Sequence, residues 1–299
     1  MMERIHLVGL TSKMYEHPFD RSALNAVKKF PLEKLFATYL DWTVVKQEYV
    51  IKKGSCFHVT EKSCPQLYSL IEEAAAILDL KDFPRVFLEM AYGINGYTTG
   101  YKESTIMSLN SGVIDMLTDM EQTFVIGHEM GHIKSGHVIY HCIVNHFADL
   151  LNSTFLPETM TGALLSALQY WYRMSEYTAD RAGLLACQDP KAAMKALIKM
   201  SGVPIKYADC INIDEYIREA EHFEKGMTQS EDFFKKLITI TSLDHPWTLY
   251  RVMELKKWVD SGEYENLIKG NGAIKCPVCG KYNIAGATEC EYCQSELAQ

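Results

Sequence analysis

Apolar residues recur at helical spacing along most of this chain and alternate at strand spacing in only a few short stretches. The clearest helical pattern runs from Gln66 to Leu80. Two runs rich in β-branched and aromatic residues, 85–90 and 104–109, are typical of strands. A glycine-rich passage over 92–100 lies between them and predicts a loop. The pattern therefore predicts a predominantly helical α+β protein with a small sheet.

Further helices are predicted near Asp20, Pro31 and Pro190, and after Asp244–Trp247, where the helix is expected to end near residues 260–262. Residues 44–51 mix β-branched and charged side chains and fit no single element. The longest apolar stretch, from Met160 to Tyr172, is too short to span a bilayer. It is expected to be a buried helix, with docking onto a membrane surface as the alternative.

Residues 128–132 read His-Glu-Met-Gly-His within a helix whose start is marked by a capping box, Thr118 with Glu121 three residues later. The helix is predicted to continue past Gly136 towards residue 150. His128 and His132 would lie one turn apart on one face, where both could bind one zinc ion at about 2.0–2.1 Å.

Glu129 would point about 100° away from His128, given about 3.6 residues per turn. It could reach a water on the metal, which is the position of a general base in a zinc hydrolase. The HExxH pattern fixes only three positions, so a chance occurrence stays open at this point.

Glu176 and Asp180 also share one helical face, because they are four residues apart. The first could complete a metal's coordination sphere and the second could hydrogen-bond a ligating imidazole. Alternatively, they form a solvated acidic face paired with Arg173 and Arg181.

The other histidines carry weaker signals. His17 precedes a proline, as turn residues often do. His245 could donate to an oxyanion, although by itself it is typical of a turn. His137 and His141 share a helical face, but together with His146 they are expected to be core or surface residues rather than a second metal site.

The nine cysteines divide into five scattered residues and two CxxC pairs near the C-terminus. The pairs are separated by ten residues and comprise Cys276, Cys279, Cys290 and Cys293. Four thiolates so spaced predict a closed, tetrahedral structural zinc site. A segment of this size cannot build an adequate core, so the metal would supply most of its folding energy. The scattered cysteines favour a reducing compartment.

Charge and composition exclude some classes of function. The formal net charge of −8 argues against a nucleic-acid-binding protein, which would be basic. The N-terminal residues show no signal peptide, and no run of about 18 apolar residues occurs. We therefore expect a cytoplasmic protein without a transmembrane segment.

Taken together, the motifs resemble metallopeptidase family 48, which includes the HtpX-type heat-shock proteases and the CAAX prenyl proteases. The resemblance covers about residues 60–255. It is carried by the HExxH at 128–132, by Arg173-x-x-Glu176-x-x-Ala179-Asp180-x-x-Gly183, by His245-Pro246 with Arg251, and by the passage Asn95–Gly100.

The resemblance implies a zincin-like catalytic domain with a role for each matching residue. His128, His132 and Glu176 would be the ligands of a catalytic zinc, with Glu129 as the base. Asp180 would support a ligand, His245 would stabilise the transition state, and Arg251 would pair with Asp180 or the C-terminal helix. Asn95, Gly96 and Tyr97 would contact substrate. Unlike membrane members of the family, this chain shows no spanning helices, so prenylated substrates are not expected.

These expectations divide the chain into four parts: an N-terminal helical region (1–60) packed on the catalytic domain, the metallopeptidase domain (61–262), a linker (263–273) and a zinc ribbon (274–299). The predicted function is that of a zinc metalloendopeptidase with one catalytic and one structural zinc, acting on peptides or unfolded proteins. The alternatives are an adaptor or gated protease whose ribbon recruits a partner, and a peripheral membrane protease.

Overall fold

The computed structural model describes residues 4–28, 45–101, 104–146, 158–227, 246–270, 274–283, 287–290 and 292–297. The helix predicted at Pro31 and the candidate His245 lie outside these ranges. The elements, in chain order, are α1 (Pro18–Val27), α2 (Lys46–Ser55), β1 (Phe57–Val59), α3 (Pro65–Ile77), β2 (Arg85–Glu89), β3 (Gly96–Tyr101), β4 (Ser104–Asn110), α4 (Ser111–Met116), α5 (Asp119–Lys134), α6 (Val138–Asn145), α7 (Glu158–Cys187), α8 (Pro190–Met200), α9 (Ile213–Met227), α10 (Thr248–Asp260), α11 (Glu263–Gly270), β5 (Ile274–Lys275) and β6 (Tyr282–Asn283).

The fold is predominantly helical with a small mixed sheet, as predicted. Its four strands lie in the order β1-β2-β4-β3; β2 and β4 are parallel, and the outer pairs are antiparallel. The glycine-rich passage is not wholly a loop, since its second half forms the edge strand β3. Glycine content favoured a loop, but pairing of residues 96–101 with β4 supplies backbone hydrogen bonds that local sequence does not reveal.

Helix α5 begins at the predicted capping box. The Thr118 amide donates to the Glu121 carboxylate at 2.8 Å, and the Glu121 amide donates back to the Thr118 hydroxyl. The prediction that this helix continues past Gly136 is wrong. Gly136 has a φ of +71°, a conformation that glycine adopts readily, and it ends the helix before α6 begins.

Helices α5 and α7 cross where both carry small residues. A Cβ on Gly127 would lie 2.3 Å from the Cβ of Ala186, and a Cβ on Gly131 would lie 2.5 Å from that of Ala182. Only glycine therefore permits this approach of the two helices. The close crossing brings the α7 segment around residues 176–180 beside the HExxH.

Two apolar cores surround this crossing. The larger includes α3, α5, α8, α10 and the C-terminal part of α7. The smaller joins α1, α6 and the first half of α7 through residues that include Leu24, Ile143 and Leu168. Part of the apolar stretch considered for membrane docking, including Leu164 and Leu168, is thus buried against protein. No helix in the described parts of the chain is long and apolar enough to cross a membrane.

The segment predicted as a linker, 263–273, contains helix α11. Its Leu267 is buried in the larger core, and the Tyr264 ring lies 5.5 Å from that of Trp258. The sequence suggested a linker because polar residues dominate this stretch. Its few apolar residues nevertheless pack against the larger core, which stabilises a helix there.

Candidate active site and metal centres

Side chains from α5 and α7 converge at one buried point. The Nε2 atoms of His128 and His132 lie 3.2 Å apart. The Glu176 carboxylate places Oε2 3.5 Å from His128 Nε2 and Oε1 3.4 Å from His132 Nε2. Ligands about 2.0–2.1 Å from a tetrahedral zinc ion are separated by about 3.3 Å, so the donor set and its spacing fit this metal.

The acidic face considered for Glu176 and Asp180 is not solvated, since the two residues are only 2% and 1% exposed. The Nδ1 of His128 lies 3.0 Å from Asp180 Oδ1. Arg251 donates two hydrogen bonds to the same carboxylate, at 2.6 and 2.8 Å. When the Nδ1–H of His128 donates to Asp180, the Nε2 atom carries a lone pair on the side that faces Glu176.

The charges in this cluster stabilise one another. Burial raises the pKa of the Asp180 carboxyl, but the charge and hydrogen bonds of Arg251 outweigh burial and hold that pKa below its usual value. Burial is also the main reason that the pKa of His132 falls to about 4. His132 is therefore neutral near pH 7, as a metal ligand must be.

The Glu129 side chain extends from α5 to the edge strand β3 and is buried. Its Oε2 accepts a 2.8 Å hydrogen bond from the Thr98 hydroxyl. A Cβ on Gly96 would lie 3.2 Å from Glu129 Oε1, so glycine at position 96 leaves room beside the carboxylate. The carboxylate is thus next to the strand edge rather than in the apolar core.

The residues predicted to contact substrate have unequal surroundings. Gly96 adjoins Glu129, as just described, and Asn95 is exposed. Tyr97 is 38% exposed, and its hydroxyl donates to Glu48 at 2.8 Å. The last candidate, His245, lies outside the described residues and stays a prediction.

Three functional candidates were missed from the sequence or given another role: Thr98, His137 and Asp20. His137 is fully buried and its Nδ1 is 3.1 Å from that of His132. A glycine preceding a histidine after the HExxH helix was the available signal. Asp20 lies 3.1 Å from His137 but more than 100 positions away in sequence, so no local pattern indicated it.

The four C-terminal cysteines also come together, with all four sulfur atoms within 4.8 Å of one another. The Sγ atoms of Cys276 and Cys293 are 3.6 Å apart, as are those of Cys279 and Cys290. Tetrahedral zinc–thiolate bonds of about 2.3 Å separate sulfur atoms by about 3.8 Å. The donor type and spacing therefore fit a zinc ion between β5 and the residues after β6.

A helix-borne HExxH beside a buried glutamate from a crossing helix, in a mostly helical fold with a small mixed sheet, defines the class of this protein as a metallopeptidase. The chain belongs to peptidase family M48, whose family model matches residues 61–259.

Two sequence relatives agree with this assignment. The chain is 27% identical over 260 residues to the plastoglobule-localized metallopeptidase 48 of Arabidopsis thaliana chloroplasts, covering 85% of this chain and 75% of that protein. It is 25% identical over 174 residues to the protease HtpX homolog of Moorella thermoacetica, covering 48% of this chain and 57% of that protein. Among solved structures, it aligns with S. mikatae Ste24p at 18% identity and a TM-score of 0.44, over 80% of this chain and 62% of that one.

Proposed function

We propose that this protein is a zinc-dependent endopeptidase in which His128, His132 and Glu176 hold the metal and Glu129 is the general base. The convergence of two imidazole Nε2 atoms and one carboxylate within 3.2–3.5 Å of one another supports this proposal most directly. A zinc ion bound there supplies Lewis acidity for a peptide carbonyl and acidifies a water molecule.

The protein's own groups then perform the proton transfers. Glu129 takes the proton of the attacking water on its carboxylate and returns it to the departing amine. Asp180, held by Arg251, keeps the His128 proton on Nδ1, so that the Nε2 lone pair stays available. His245 is proposed to stabilise the oxyanion, as the family resemblance implies.

The substrate is proposed to bind as an extended strand along the open edge of β3. The amide of Gly100 donates to the Cys142 sulfur rather than to β4, at 3.5 Å. Because backbone direction alternates along a strand, the backbone groups of Gly96 and Thr98 face the same edge. A peptide paired there would pass beside Glu129.

We propose a second, structural zinc on the four C-terminal cysteines, and hence two zinc ions per chain. The cytoplasmic location expected from the sequence also stays a proposal. The Arabidopsis relative is named as plastoglobule-localized, and that name describes the location of the relative.

Two separate glutamate-to-glutamine substitutions test the function. Glu129→Gln is expected to keep both zinc ions and to lower kcat on a quenched peptide library by about 10²–10⁴-fold, because only the base is lost. Glu176→Gln is expected to lose one zinc ion together with activity. Undiminished turnover in Glu129→Gln, or two retained zinc ions in Glu176→Gln, would contradict the assignment.

A further inference from the structure

The turn after α5 places a second histidine against a metal ligand. With Gly136 in the left-handed conformation, the His137 amide donates to the His132 carbonyl at 2.9 Å and the Gly136 amide donates to the Ile133 carbonyl at 3.1 Å. This is the hydrogen-bonding pattern of a Schellman motif, in which the residue after the glycine contacts the last turn of the helix. Here the two contacting side chains are imidazoles.

The proton positions in this pair follow from the metal site. His132 can bind a metal through Nε2 only if that nitrogen carries no proton, so a neutral His132 carries its proton on Nδ1. Its Nδ1 lies 3.1 Å from the Nδ1 of His137. His132 must therefore donate and His137 accept, which leaves the proton of His137 on Nε2.

An acceptor stands on that side of His137. Oδ2 of Asp20 lies 3.1 Å from His137 Nε2, and both side chains are fully buried. In the part of the chain that the structure describes, His137 Nε2 makes no hydrogen bond of good geometry, and this carboxylate lies within ion-pair distance of it. Asp20 also accepts from Trp171 Nε1 at 2.9 Å and from the Thr178 hydroxyl at 2.6 Å, as an ionised carboxylate does.

Asp20 belongs to α1, outside the residues 61–259 that match the family model. Helix α1 packs on α7 through the smaller core, which fixes Asp20 beside His137. Asp180 faces His128 in the corresponding way, so each histidine ligand would have a buried carboxylate behind it, directly for His128 and through one imidazole for His132.

We propose that Asp20 and His137 are positioning residues of the metal site, so that the N-terminal helix completes the peptidase centre. The proposal rests on the proposed function, since it assumes that His132 binds zinc. Their role is to fix the ring orientation and the Nδ1 tautomer of His132. Partners of this kind typically change metal affinity by about 10–100-fold.

A metal site made of three histidines is the alternative to a positioning chain, and His141 distinguishes the two. His132, His137 and His141 also lie close enough together to be ligands of one metal. However, His141 Nε2 is 2.9 Å from the Ser175 hydroxyl, and its ring stacks on Tyr172 with centroids 4.1 Å apart. A positioning chain requires His137 but not His141, whereas a three-histidine metal site requires both.

The experiment measures zinc affinity in the full-length protein by competition with a chromogenic chelator. The four-cysteine site serves as an internal reference within each sample. Asp20→Asn and His137→Phe are each expected to weaken zinc binding at the peptidase site by about 10–100-fold without changing the ribbon site. The double variant should lose no more zinc affinity than the single variant that binds zinc less tightly, because the two residues act as one unit. His141→Phe should bind zinc as the wild type does.

The outcomes separate the two levels of the proposal. If wild-type protein binds no zinc at His128 and His132, the proposed function itself fails. If the wild type binds zinc there and Asp20→Asn and His137→Phe bind it as tightly as the wild type does, only the positioning role is overturned. Equal losses in His137→Phe and His141→Phe, or losses that multiply in the double variant, would also overturn it. Melting temperatures of the metal-free proteins establish that each variant is folded.

Discussion

The hydroxyl of Thr98 donates a 2.8 Å hydrogen bond to the carboxylate of Glu129, joining the edge strand β3 to the proposed general base. Both side chains are buried. The bond fixes one carboxylate oxygen on the sheet side of the site. The sheet therefore orients the proposed general base, in addition to offering the edge at which we propose that substrate binds.

Removing this hydroxyl should slow the chemical step. Thr98→Val keeps the shape and β-branching but loses a hydrogen bond to a charged group, a bond of about 1.5–3 kcal/mol. We expect kcat to fall at least about tenfold with zinc content and KM unchanged. Thr98→Ser should retain most of the activity. Steady-state kinetics on one fluorogenic peptide measure both parameters.

The neighbouring residue supplies the control. Thr99 lies on the same strand but faces the other side, where its hydroxyl is 3.2 Å from the Cys142 sulfur. Thr99→Val should leave kcat close to that of the wild type. An equal loss in the two valine variants would mean that strand stability, not orientation of Glu129, determines the effect.

The crossing of α5 and α7 should tolerate no added methyl group. In Gly127→Ala the new Cβ would overlap the Cβ of Ala186, so the helices must separate. We expect the free energy of unfolding to fall by about 1–3 kcal/mol and zinc affinity at the peptidase site to fall with it, because Glu176 moves away from the histidines. Denaturant titration and zinc competition measure the two effects.

A glycine of the partner helix α7 is the matched control. Gly162 is exposed, and a Cβ there meets nothing within 4 Å. Gly162→Ala should therefore raise stability by about 0.5–1 kcal/mol through the lower flexibility of the unfolded chain. Destabilisation by both alanines would refute the role assigned to the crossing.

The four-cysteine site should be separable from the peptidase site. Cys290→Ser removes a buried ligand, so we expect zinc content to drop from two ions to one per chain and residues 274–297 to lose protection from proteases. Peptidase activity should persist, because the proposed catalytic groups lie on α5 and α7. Loss of both zinc ions in this variant would show that the two sites are coupled.

Acid should weaken the attachment of α10 to the N-terminal segment. A hydrogen bond from His17, together with Lys257, outweighs burial and lowers the pKa of Glu254 to about 2. A carboxyl whose folded-state pKa is depressed stabilises the protein at neutral pH, and this contribution disappears as the pH falls from about 4.5 towards 2.

Glu254→Gln should therefore be less stable than the wild type at pH 7, by about 1–2 kcal/mol after allowance for partial exposure, and should approach it at pH 3. Unfolding titrations at pH 7, 5 and 3 measure the difference. Glu72→Gln, at an exposed glutamate of α3, is the control. A wild-type-to-variant gap that stays constant with pH would contradict this account.

The local parts of the site could be predicted because they depend on short sequence intervals. His128 and His132 share a helical face through the period of the α-helix, and Thr118 with Glu121 marks where that helix begins. The two CxxC pairs likewise depend on spacing alone. The pairing of Glu176 with the histidines needed the family resemblance, because 44 positions separate Glu176 from His132.

The tertiary structure decided what sequence spacing does not determine. The edge strand β3 forms because β4 pairs with it, and helix α11 forms because Leu267 finds a place in the larger core. Thr98 and Asp20 approach these side chains only through packing between distant segments, whereas the turn at Gly136 places His137. By itself, the sequence determined the helix that presents the HExxH and the clustered cysteines, since those patterns are set within a few turns of backbone. Which buried groups lie next to the proposed metal ligands depended on how closely glycines allow α5 and α7 to approach and on where α1 packs.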